Sequence, residues 1–484
     1  VRPVARQAIV AIEPDPTRTL NMTDASRTAP ATATPAPAAD APPIPFRIRF
    51  SWGLGSFGTI TYLNVVTSLV LVYLTLILKI DPGTAGLVVF TARIADALMD
   101  PVMGWVTDRT RTRWGRRRPW LLVGAVVCGL SLPLVYSQHL FGTDGAVVAM
   151  CLAVLVIYSL GFTLFNVPYL TMPVEMTNDR MQRLGIMGYR SVFMMFGSVA
   201  GSAGAPLLVE KLGRDAEAFQ NLGLIGGAAV FAIMFATFLG TRGAHGGDVE
   251  AVQPRYSFSD QVNAVIGNRP FMMMVGIKVL QFFALSAGGA TTAFFVVMVL
   301  KRDFSLMSLL AISTIGATIT FIPFWRWAGR HMTKRTGLAI GIVGEVFAVL
   351  SWLLATPDQS ETFFVLRGVL AGIFSSAILL FSQAMWLDTI DYDREKTGLR
   401  REGMYTSVYV FIERLGYSLG PLVLGELLEA MHFDKSLPLE QQPASAEFAV
   451  VLSLVWIPAF AYAAGLLFLW FYRVPERVGG TVRT

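Results

Sequence analysis

The sequence predicts an all-α membrane protein, with twelve transmembrane helices arranged as two six-helix bundles. Three observations lead there. The chain has 484 residues, 54% hydrophobic and only 15% charged, whereas soluble domains carry about 25% charged residues. Twelve apolar segments are each long enough to cross a bilayer, which takes about 20 residues per helix. The longest polar connection, residues 242–269, has six of these segments before it and six after. That is the plan of an internal repeat.

Residues 1–45 are rich in Ala, Pro and Thr and are expected to form a disordered cytosolic tail. Met22 is a candidate start, and no compact apolar core of a signal peptide precedes the first span. The spans are placed at 50–78, 84–107, 119–137, 146–171, 186–209, 221–241, 270–299, 304–327, 333–355, 362–390, 404–430 and 446–472. An N-terminal bundle over 46–241 and a C-terminal bundle over 270–475 follow, joined by a cytosolic linker over 242–269. Residues 476–484 form a second cytosolic tail.

Charge fixes the expected orientation. The loop after the second span holds Arg109, Arg111, Arg113, Arg116, Arg117 and Arg118. Loops on the opposite face hold only Lys79, Lys211, Arg214, Lys301, Arg302 and Lys435 between them. Positive loops stay inside, so both termini are cytosolic. The same loops absorb the net charge of +6, and no nucleic-acid partner is implied. The bilayer and a small molecule are the expected partners, with no obligatory protein partner evident. Two cysteines, Cys128 and Cys151, lie in spans and give no disulfide or zinc framework. His139, His245, His331 and His432 fall in loops or span ends, so ion coupling must use carboxylates. Gly53, Gly55 and Gly58 spell G-x-G-x-x-G, but no strand precedes them. Close helix approach is the better reading.

The second span carries Arg93, Asp96 and Asp100. An ionised group in hydrocarbon costs at least about 2.5 kcal/mol. At 100° per residue the three fall within roughly 60° of arc, so one helix face can turn them inward together. An internal Arg93–Asp96 pair is the structural alternative, and it leaves Asp100 unexplained. Span four carries Thr163 and Asn166 on one face, just before Pro168, whose ring frees a backbone carbonyl. Two acids, a hydroxyl and an amide make an oxygen cage of the kind hard cations prefer. Asp96 and Asp100 would hold Na+ if sodium is the ion. An interhelical hydrogen bond from Asn166 is the alternative. Arg190 on span five either snorkels to the surface or turns inward. Lys278 and Gln281, Glu345, Arg367 and the adjacent pair Glu413–Arg414 add charge and polarity to later spans. Adjacent helical residues point about 100° apart, so one of Glu413 and Arg414 at most faces a central cavity squarely. Asp388, Asp391 and Asp393 then meet Arg394, Lys396, Arg400 and Arg401 at the end of span ten. Such pairs can lock one conformation, or form a solvated loop worth about 0–1 kcal/mol per pair. No nucleophile–base–orienter set is present at usable spacing, so no enzyme is expected and no cofactor is implied.

Gly104 through Asp108-Arg109 and Gly115-Arg116-Arg117 resembles the major facilitator signature between spans two and three. A faint echo, Gly329-Arg330 with Lys334-Arg335-Thr336-Gly337, follows span eight. More narrowly, DALMDPVMGWVTDRTRTRWGRRRPW, FNVPYLTMPVEMTNDRMQRLGIMGYRSVFMMFG, WLDTIDYDREKTGLRREGMYTSVYVFIERLG and SWGLGSFG resemble the glycoside–pentoside–hexuronide:cation symporter family. The resemblance implies the major facilitator fold. It also implies cation binding at Asp96 and Asp100 with Thr163 nearby, where the oxygen-cage reading adds Asn166. The solute would bind near Asn166, Arg190, Tyr409 and Arg414. Gate residues would be Asp108, Arg109, Arg116, Asp388, Asp391 and Arg401. Family acids that contact sugar on spans one and four are replaced here by Ile60 and Asn166, and Met99 stands for a polar residue. The expected function is a symporter of the bacterial inner membrane, coupled to Na+ or H+, for a glycoside or other small sugar-like solute. A less polar, lipid- or steroid-like solute stays open, as does a non-transporting receptor or scaffold.

Overall fold

The structure, a computed structural model, describes residues 44–141, 146–177, 179–244, 265–397, 401–474, 476–478 and 481–483. The expected tail before residue 44 and most of the expected linker lie outside the described residues. The helices are α1 (Phe46–Val72), α2 (Pro82–Arg109), α3 (Arg118–Tyr136), α4 (Val147–Met176), α5 (Arg180–Val199, running on to Leu212) and α6 (Ala216–Gly240). The second set is α7 (Arg269–Phe294), α8 (Phe304–Ala328), α9 (Lys334–Leu350), α10 (Glu361–Thr397), α11 (Glu402–Ala430) and α12 (Ala444–Val451, running on to Phe471). A short antiparallel hairpin, β1 (Glu476–Val478) with β2 (Thr481–Arg483), lies within the expected second tail. The sequence between its strands is Gly-Gly, a two-residue hairpin signal.

Among the described residues, ten helices are long and apolar enough to cross a membrane. The two of comparable length that fall short are α2 and α11, which carry Arg93, Asp96 and Asp100, and Glu413 and Arg414. Polar side chains cap several starts. Asp179, Asp215, Asn268 and Thr333 accept from backbone N–H groups that the first helical turn leaves unpaired. The glycine trio of α1 is a packing device. A Cβ on Gly53 would lie 2.8 Å from Phe193, and one on Gly55 2.6 Å from Tyr169. Close approach also permits reciprocal bonds between α1 and α4. The Tyr62 hydroxyl donates to the Tyr158 carbonyl (2.7 Å), and the Tyr158 hydroxyl to the Tyr62 carbonyl (3.0 Å).

The two halves echo each other. Helices α1 and α7 both end in a π turn, Tyr73–Ile77 and Phe295–Val299. Each is followed by Leu-Lys, with Lys79 at φ 55° and Lys301 at φ 51°. After α5 and α11, Arg214 and His432 both take φ 62°. At the opposite end, Arg116 and Arg117 pair with Glu175 at 3.0 and 2.8 Å, and Lys334 pairs with Asp388 at 2.6 Å. These ties join α3 to α4 and α9 to α10, the equivalent helices of each half.

The halves meet unevenly. At the end holding the α1–α2 connection, a Cβ on Gly86 of α2 would lie 2.6 Å from the Pro421 carbonyl oxygen of α11. One apolar cluster runs through this end and includes residues of both halves, such as Val72, Val88, Phe294 and Leu424. At the other end a second cluster, from Phe271 to Tyr472, stays within the second half. There Gly104 of α2 and Gly185 and Gly188 of α5 face open space. A cleft therefore opens between the halves toward the end that carries the arginine-rich loop.

Candidate functional site

Helix α2 is ordinary hydrophobic chain except on one face, and that face points at the other half. Asp96 is buried and Asp100 half-buried. Arg414, from α11 of the opposite half, forms ion pairs with both, with its Nη2 2.5 Å from Asp100 Oδ2. From α4, the buried Thr163 hydroxyl lies 2.8 Å from Asp96 Oδ1 and 3.1 Å from Asp100 Oδ1. It has a single proton to donate between them. Arg93, one turn earlier, donates to the Thr67 hydroxyl at 2.8 Å. No Arg93–Asp96 ion pair forms among the described residues, so the charges of α2 are not neutralised within α2. Helices α4 and α11 thus converge on two carboxylates of α2. Buried carboxylates are stable when paired and hydrogen-bonded. Here the pairing group comes from the other half of the molecule.

The other expected residues are placed as follows. Asn166 is half-buried and makes no hydrogen bond among the described residues, to the acids or elsewhere. Arg190 is half-buried and its Nε is buried without a partner. The Tyr409 hydroxyl accepts from the exposed Gln383 amide at 3.0 Å. Asp108 and Asp391 are exposed. Arg109 lies 3.8 Å over the Trp105 ring. Arg116 and Asp388 pair within their own halves, and Tyr405 lies in the field of Arg401. In this conformation the ion pairs of Arg116 and Asp388 do not bridge the cleft, because the cleft is open on their side.

The other ion pairs that bridge the halves lie at the closed end, and the charge pattern alone does not single them out. Arg214 pairs with Asp303 across the halves, and with Glu210 beside it at 2.7 Å. Lys435 pairs with Asp81 at 2.7 Å, and Glu429 accepts from the Gly83 N–H at 2.9 Å. Asp81 and Asp303 occupy equivalent places after the two π turns. The signal in the sequence is the repeated Leu-Lys-x-Asp, Leu78–Asp81 and Leu300–Asp303.

The family described as MFS/sugar transport protein matches residues 51–476. The chain belongs to this family. Within this sugar-transport family, its relatives point to symporters of the glycoside–cation type. It is 25% identical to the inner membrane symporter YicJ of Escherichia coli over 424 residues, covering 86% of this chain and 88% of that one. It is 25% identical to the isoprimeverose transporter of Lactiplantibacillus pentosus over 445 residues, 90% of each chain. Among solved structures, a bacterial homologue of the human lysosomal transporter Spinster aligns with TM-score 0.65 and 16% identity, over 89% of this chain and 99% of that one. The fold is thus the major facilitator fold, and the protein is a multi-pass membrane transporter of small molecules.

Proposed function

We propose that this sugar-type symporter couples entry of a glycoside or similar small solute to a cation, Na+ or H+, by alternating access in the bacterial inner membrane. Both termini lie in the cytosol on this reading. The observation that carries it is the reach of Arg414 across the halves onto Asp96 and Asp100. Its guanidinium is a tethered cation on two carboxylates. A sodium ion or proton arriving there competes with it directly, with Thr163 offering a further oxygen. Breaking a buried ion pair costs about 3–5 kcal/mol when one partner is left alone. A cation that replaces Arg414 removes that cost for the acids, and the freed guanidinium turns to solute or water.

Coupling follows from this competition. Each ligand shifts the conformations only by its differential affinity for them. An ion that severs the α2–α11 tie changes what holds the halves together at mid-depth. The solute would bind in the cleft beside Asn166, Arg190, Tyr409 and Arg414. In the alternate state the cytosolic ends would close, bringing Asp108, Arg109, Arg116, Asp388, Asp391 and Arg401 into play. Uptake of labelled glycosides into vesicles, under sodium or proton gradients, tests the proposal. Accumulation should require one gradient and vanish in Asp96→Asn. Gradient-independent accumulation, or full accumulation by the variant, would overturn it.

A further inference from the structure

Glu345 is a buried acid that the transport reading leaves unused. It stands near the middle of the span Lys334–Leu354 and is 6% exposed. Its helix, α9, packs on α10 and α12. Glycines bring α9 close: a Cβ on Gly341 would lie 3.0 Å from Ala377 of α10, and Gly344 has no room for a side chain beside Phe374. In this seam the Glu345 Oε2 accepts from the Ser375 hydroxyl of α10 at 3.1 Å. No cation lies in its field among the described residues. The charges on the neighbouring elements are engaged elsewhere. On α10, Arg367 donates to the Ser351 carbonyl and to Gln359. On α9 itself, Lys334 bonds Asp388, and Arg335 donates to the Trp470 carbonyl. From α12 the titratable group in its field is Tyr462, 7% exposed.

One helical turn toward the open end lies a cavity of about 10 Å³. Its walls include Gln281 of α7, Ile342 of α9, Ile378 of α10, and Tyr462 and Gly465 of α12. The absent side chain at position 465 makes the space, since a Cβ there would meet only Ile342, at 4.0 Å. That is room for about one water, which needs at least two polar partners. Two are at hand. The Gln281 Oε1 is buried with no partner, and the Tyr462 hydroxyl makes no hydrogen bond among the described residues.

A carboxylate inside a membrane helix bundle needs a cation or several donors, and Glu345 has one hydroxyl. A hard metal ion takes about six oxygens, whereas these walls are largely aliphatic. The ligand that fits is a proton. We propose that Glu345 is a proton-binding site distinct from the Asp96–Asp100 pair, occupied at neutral pH, and that a water held by Gln281 and Tyr462 carries the exchange of its proton with the open end. The proton sits on Oε1, leaving Oε2 to accept from Ser375. Exchange delivers one proton for each one removed, so no charge is left in the seam. The bound proton keeps α9 seated between α10 and α12 without a buried charge. This holds whichever ion visits Asp96 and Asp100.

Infrared spectra of the purified full chain test the proposal, in a maltoside detergent that has no ester carbonyl. They are read at the carbonyl stretch of a protonated carboxyl group. At neutral pH the wild type should show such a band, and it should shift when glutamate carries ¹³C at its side-chain carboxyl. The band should vanish in Glu345→Gln and persist in Asp96→Asn and in Glu413→Gln. In deuterated water it should shift promptly in the wild type and several-fold more slowly in Gly465→Ala, whose methyl takes the place of the water. The absence of a label-sensitive band in the wild type would overturn the proposal. So would a band that survives Glu345→Gln, one that is lost in Glu413→Gln, or an exchange rate unchanged in Gly465→Ala. The labelled wild type, Glu413→Gln and Gly465→Ala decide the matter even if Glu345→Gln does not fold.

Discussion

Asp96, Asp100, Thr163 and Arg414 form a unit in which each member has a distinct task. On the proposed reading the acids attract the ion, the hydroxyl is shared between them, and the guanidinium holds the place of the ion. Arg414→Gln should therefore destabilise the ion-free protein, by about 3–5 kcal/mol if the acids stay charged. Thermal unfolding in detergent checks this, and added coupling cation should recover part of the loss. Thr163→Ala removes a bond to charged groups, worth about 1.5–3 kcal/mol. Cation affinity should fall roughly tenfold while the fold is retained, as cation titration of the purified variant would report. The helical spacing of Arg93, Asp96 and Asp100 made their common face legible from the chain alone. That Arg414 meets both acids was not legible, because a contact between α2 and α11 leaves no periodicity in either. Asn166 reads in sequence as part of the same oxygen cage, yet no hydrogen bond joins it to the acids. Spacing places Thr163 and Asn166 on one face of α4, but not at equal reach.

At the scale of elements, glycine decides where helices touch. Gly86 lets α2 lie against the Pro421 backbone of α11, while Gly104 on the same helix meets open space. Gly86→Val should prise open the closed end, at about 1–3 kcal/mol for a forced overlap. Gly104→Ala should leave this conformation unaffected. A cysteine at Gly188, on the open side of α5, reports the difference: its labelling should slow in the Gly86 variant and keep its rate in the Gly104 variant. Twelve apolar runs and the break near residue 242 made the helix order readable. The run-on of α5 to Leu212 through a π turn over Ala200–Gly204 was not readable, since π turns carry no hydrophobic period of their own. The faint basic echo after α2 and α8 does correspond to equivalent ties, Arg117–Glu175 and Lys334–Asp388.

For the whole molecule, the closed end is held by weak, exposed pairs and a continuous apolar contact. The side chains of Asp303 and Asp81 are 65% and 56% exposed, and exposed pairs contribute about 0–1 kcal/mol each. Such a closure suits a transporter, because a ligand of modest affinity can reverse it. Asp81→Asn with Asp303→Asn, which removes equivalent acids of the two repeats, should lengthen spin-label distances between the outer loops. Unchanged distances would show that apolar packing alone holds this end. Orientation is read from charge, and a cysteine at Arg113 should resist labelling from outside intact cells.

The central claim is that one pair of carboxylates alternates between Arg414 and a mobile cation. Binding of radioactive sodium and uptake of protons, both measured on the purified wild type, Asp96→Asn and Arg414→Gln, tests it most directly. One of the two ions should bind to the wild type, fail to bind when Asp96 is replaced, and bind more tightly when the competing guanidinium is removed. Unaltered or weaker binding in Arg414→Gln, or full binding without the Asp96 carboxylate, would contradict it.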